Sequence, residues 1–139
     1  MRLFLLIAFV TFAMCFSAAQ DRSKVGRLDP WDIKEINRFH TLLHRITSEY
    51  YERKNIDVLI KASSDLDTVF SQLQNAKLPE KFSGKEKAYS VYVGSIKVAL
   101  ALYKKALQGS VSESLEPAFE NIDETFELGI PKLRKAFNE

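Results

Sequence analysis

Residues that build covalent and redox centres are scarce in this chain. Its 139 residues include one cysteine, Cys15, two methionines, Met1 and Met14, and two histidines, His40 and His44. No cysteine follows position 15, so a covalently attached haem, which needs C-x-x-C-H, is excluded. Haem held by Met and His axial ligands is excluded for any chain that loses its first residues. Bis-His haem fails within one chain, because ligands one helical turn apart cannot reach opposite faces of the ring. A ferritin-like di-iron centre wants two Glu-x-x-His pairs, and none is present. No serine or cysteine nucleophile motif occurs either. Charge of one sign is also missing: 20 Lys and Arg stand against 18 Asp and Glu. That balance makes no field suited to nucleic acid or an anionic membrane.

Long apolar runs are absent except at the start. MRLFLLIAFVTFAMCFSAA carries one basic residue, Arg2, an apolar stretch from Leu3 to Phe16, and small residues Ser17, Ala18 and Ala19. This is the order of a secretory signal peptide over residues 1–19, with cleavage expected before Gln20. The stretch is short of the roughly 20 residues that span a bilayer. Lipid anchoring at Cys15 is disfavoured by Met14 before it, so free export to the periplasm or beyond is the expectation. Cleavage removes Arg2 and lowers the net charge from +2 to +1. It also leaves an exported chain with no disulfide. About 120 residues then form one domain large enough to bury a core unaided.

Residues 20–29 are polar and aperiodic and read as a loose arm before a bundle over 30–139. Asp29 as N-cap and Pro30 at the first helical position predict the first helix start. Ile36, Phe39, Leu43, Ile46 and Tyr50 follow in steps of three and four, and the helix should end near Lys54-Asn55. A second seam runs through Leu59, Ala62, Leu66, Val69, Leu73 and Ala76, ended by Pro79 and Gly84. Ser83 and Glu86 spell a capping box for a third helix carrying Tyr89, Tyr92, Ile96, Ala99, Tyr103 and Ala106. Its tyrosines should be core residues with wet hydroxyl ends. After Gly109 and several potential capping serines, Ser114 should cap a fourth helix with Pro117 at its third position. Phe119, Ile122, Phe126, Leu133 and Phe137 carry its seam, and Pro131 should bend it without breaking its phase. No stretch alternates like a strand and no repeat is evident. Four helices on short connections predict an all-α, up-and-down antiparallel four-helix bundle.

His40 and His44 lie four apart, so one helix face presents both to a single ion. Helical geometry sets them roughly 90° and 130° from the centre of the apolar stripe, at its boundary and nearer solvent. The bland alternative is two solvated or half-buried polar residues. On the fourth helix Glu116, Glu120, Asp123 and Glu127 step by 4, 3 and 4 as an acidic stripe beside the apolar face. Imidazole with carboxylate suits zinc, copper or iron, and the first and last helices of a bundle are neighbours. A solvated face is the alternative for that stripe too.

Phe39-His40, Leu43-His44, Glu49-Tyr50-Tyr51, Lys54-Asn55, Asp57, Leu59 and Leu78-Pro79 carry a resemblance over about residues 36 to 130. The pattern resembles a group of exported bacterial four-helix proteins, some with cytochrome c-prime-like bundle architecture. Only the first helix is specific. The resemblance implies a further histidine one turn after His44, where Ser48 stands, and another on the last helix, where Asp123 stands. It therefore singles out Asp123 as the acid that replaces a ligand.

Together these readings predict a small exported binding protein. Its metal ligands would be His40, His44 and Asp123, completed by Glu120 or Glu127. The second reading is an interaction module contacting another envelope protein without metal. Catalysis ranks third, since no acid, base and nucleophile are visible together. Oligomeric state is left open.

Overall fold

The computed structural model describes residues 26–109 and 114–139; residues 1–19, expected as a signal peptide, residues 20–25, Ser110 and Ser112 lie outside them. The described chain is an up-and-down antiparallel four-helix bundle with no strand among the described residues. Its helices are α1 (Lys34–Arg53), α2 (Ile56–Lys61), α3 (Ser63–Gln74), α4 (Glu86–Gln108) and α5 (Leu115–Asn138). α2 and α3 together form the second rod, and α3 packs on α1 and α4 while α5 packs along α4. The predicted seams meet inside: Ile36, Phe39, Leu43, Leu59, Leu66, Leu73, Ile96, Ile122 and Phe126 are fully enclosed.

The first helix does not run straight from Pro30 as expected. Asp29 does cap, accepting from the Trp31 N–H, but it caps a single 3-10 turn, Pro30–Asp32. Ile33 is extended and buried, and α1 begins after it. The Asn37 side chain donates to the Trp31 and Ile33 carbonyls and holds this break. The described end of the arm is not loose. Leu28 is buried, and its N–H and carbonyl both bond the Asn138 side chain at 2.9 and 2.8 Å.

The second rod is interrupted at Ala62 without losing phase, since Leu59, Ala62 and Leu66 are all buried. The Tyr103 hydroxyl donates to the Leu59 carbonyl in the last turn of α2. Tyr89 does the same for the Leu73 carbonyl near the end of α3, at 2.6 Å. These hydroxyls are thus buried hydrogen-bond donors rather than wet ends. They satisfy carbonyls that a helix terminus leaves without an intrahelical partner. The capping box also fails to form. The Ser83 N–H is used by a 3-10 turn, Glu80–Phe82, and Glu86 accepts from the Gly84 N–H instead. That turn buries Phe82 against Phe137, centroids 4.9 Å apart, and closes one end of the bundle.

α5 is one helix through Pro131, with Phe126, Ile130, Leu133 and Phe137 all buried. Ser114 occupies the N-cap position and Pro117 the third helical position, as expected. Gly129 lets α5 approach α4: a Cβ there would lie 2.5 Å from Cε2 of Tyr92.

Candidate metal centre between α1 and α5

Because α1 and α5 run antiparallel, stepping down one helix meets residues stepping up the other. His40 meets Glu127, with Nε2 and Oε1 3.1 Å apart. Tyr51 meets Glu120, its hydroxyl donating to Oε1 at 3.2 Å, and Tyr50 meets Glu116 through its hydroxyl. Between these rungs His44 and Asp123 share one electrostatic neighbourhood. The acidic stripe is therefore not a merely solvated face. It is paired with the polar edge of α1 along most of its length.

The His40 ring is the best-fixed member. It stacks on Phe126 with centroids 5.7 Å apart and planes 12° apart, while His44 approaches it edge-on at 4.9 Å. Trp31 lies 5.0 Å from it and 6.1 Å from Phe126, so the three rings form one cluster. The break at Ile33 makes this possible. On an unbroken helix, Trp31 would stand nine residues and about 13.5 Å of rise away from His40. His40 is half-exposed and His44 exposed, matching their expected boundary and solvent positions.

Asp123 is half-buried, and its carboxyl is held above the ordinary carboxylate range. Burial is the main cause, followed by the Glu127 charge, while the imidazoles of His44 and His40 pull the other way. Tyr50 and Tyr51 phenols are pushed up, chiefly by their hydrogen bonds to Glu116 and Glu120.

Beside the histidines the seam opens into a cavity of about 350 Å³. Thr47, Tyr50, Tyr51, Glu120 and Asp123 are among its walls. The Thr47 hydroxyl oxygen is enclosed and has no hydrogen-bond partner, an exception among buried polar groups. Neither Thr47 nor Trp31 was among the residues the sequence singled out. Thr47 was within reach, lying three after His44 on the same face, but nothing local places Trp31 on His40.

Of the expected ligands, the structure brings His40, His44, Asp123 and Glu127 together and places Glu120 one turn further on, against Tyr51. As the side chains stand, no three His, Cys, Asp or Glu groups among the described residues converge on one coordination point. Among the described residues no helix is long and apolar enough to cross a membrane. No protein-family model, curated protein or solved structure matches this chain. The resemblance of the first helix accordingly rests on its motif alone.

Proposed function

We propose that this is a small exported binding protein whose α1–α5 seam takes a transition metal ion such as zinc or copper. The observation that carries the reading is the antiparallel pairing of the histidine edge of α1 with the acidic stripe of α5. It gathers two imidazoles and two carboxylates that lie far apart in sequence. Ligand atoms about 2.0–2.2 Å from one ion stand roughly 3.0–3.5 Å from each other. The 3.1 Å between His40 Nε2 and Glu127 Oε1 is already that spacing. An ion can therefore sit between them, with His44 and Asp123 turning in to complete the shell. Phe126 and Trp31 fix the imidazole plane, which lowers the ordering cost of binding.

The test is thermal unfolding of mature, untagged protein with zinc, with copper and with chelator. An ion that binds only the folded state adds about 2.7 kcal/mol at a hundredfold excess over its dissociation constant. The expected outcome is a metal-dependent rise in Tm that His40→Ala and His44→Ala both abolish. It should also vanish on acidification, since a protonated imidazole offers no lone pair. Equal melting temperatures under all three conditions would contradict the reading. An interaction module is the second reading, favoured by the exposed apolar residues Val91, Val98 and Leu102 of α4.

A further inference from the structure

Between Tyr89 and Tyr103, α4 carries a single charged residue, Lys97. Its inner face is core, yet its outer face is apolar too. Val91 is 68% exposed, Val98 64% and Leu102 48%, in steps of seven and four along one stripe. A helix that is apolar on both sides is normally covered on both. Beside this stripe runs a groove between α4 and α5 of about 910 Å³, walled by Ala88, Val91, Tyr92, Thr125 and Leu133. Leu128 of α5, 57% exposed, stands on its rim.

The charges around the groove identify what covers it. On α5, Glu124, Leu128 and Lys132 follow one another at four-residue spacing, making one outward ridge with an apolar centre and opposite charges at equal distances. Among the described residues, neither Glu124 nor Lys132 forms an ion pair within the chain, and Lys87 at the same end as Lys132 forms none either. Such a ridge is complementary to itself when reversed. A second α5 laid antiparallel about a two-fold axis at Leu128 sets Glu124 against the partner's Lys132, twice over. A parallel copy would set like charges together. Two rows of four-residue spacing pack as ridges into grooves at roughly 50°, which keeps those side chains within reach of each other.

We infer that the α4–α5 groove is the interface of a symmetric homodimer, with Leu128 of each copy seated beside Val91 of the other. This stands independently of the metal reading: Glu124 and Leu128 also border the α1–α5 cavity, but none of the interface residues is a proposed metal ligand and the assay runs in chelator. The association should show as a dependence on protein concentration.

The test is sedimentation of the mature protein from micromolar to millimolar concentration. The expected result is a monomer mass rising to twice its value. Glu124→Lys and Lys132→Glu should each shift the transition to higher concentration, and the two together should restore it. Leu128→Glu should hold the monomer throughout. All three positions are exposed, and circular dichroism verifies that each of the four variants is folded. A monomer at every concentration would overturn the inference. So would a dimer that ignores both charge reversals, or a double variant weaker than either single one.

Discussion

Single side chains decide how closely these helices approach. The Tyr92 ring occupies the space a Cβ at position 129 would need. Gly129→Ala gains about 1 kcal/mol of helix propensity but overpacks a rigid aromatic slot, which costs about 1–3 kcal/mol. We expect a net loss in chemical denaturation, and a more stable variant would show that the α4–α5 approach is looser than described. Tyr103 is the second such residue. Its hydroxyl satisfies the Leu59 carbonyl where the second rod is interrupted. Tyr103→Phe leaves that buried carbonyl without a partner, and should cost about 1–3 kcal/mol. Asp123 differs from both. Burial holds its carboxyl above the ordinary range, so the folded state resists its charge. That penalty is present at neutral pH and disappears once the group is protonated in both states. Metal-free Asp123→Asn should therefore melt no lower than wild type at neutral pH, with any gain shrinking toward acid. A marked drop at neutral pH would mean that the carboxylate has a structural partner.

At the scale of elements, the alternating three-and-four spacing made the seams legible, because burial depends on helical phase and phase survives small interruptions. Leu59, Ala62 and Leu66 stay inside across the break at Ala62 for that reason. The breaks themselves were not legible. Ile33 is apolar and fits a helix locally, but the Asn37 side chain, bonded to two carbonyls of the preceding turn, holds it extended. Phe82 sat in a stretch rich in turn residues, and only the approach of Phe137 shows it to be core. Ser83 and Glu86 matched a capping pattern, yet the 3-10 turn before them had already used the N–H the box requires. Pro131 is the opposite case. The helix runs through it, and its ring is exposed while the residues on either side of it along the seam are buried. Pro131→Ala should be tolerated or add about 1 kcal/mol, because it returns a hydrogen bond to the Glu127 carbonyl. A loss of stability would mean that the proline itself is required for packing.

For the whole molecule, the buried tyrosines link fold to pH. Burial pushes the Tyr103 phenol up to about 12, and lifts Tyr89 and Tyr92 further. In the unfolded chain these groups return to the ordinary value of 10.0. The folded state thus keeps protons that the unfolded state releases. Stability should be intact below pH 10 and fall as pH rises through 12. Ultraviolet absorbance should show the three phenols ionising together with the loss of helical circular dichroism. The candidate site was half legible in the same sense. Its donors were visible as one histidine pair and one acidic stripe, but their pairing depends on the α1–α5 register, and Trp31 reaches His40 only through the break at Ile33. That placement supplies the most direct measurement, because Trp31 is the only tryptophan in the chain and lies 5.0 Å from the His40 ring. Titrating copper into protein lacking residues 1–19 while following tryptophan emission reports on the site itself. The account predicts saturable quenching with one ion per chain, reversed by chelator, competed by zinc and absent in His40→Ala. Emission that declines without saturating, or equally in His40→Ala, would contradict it.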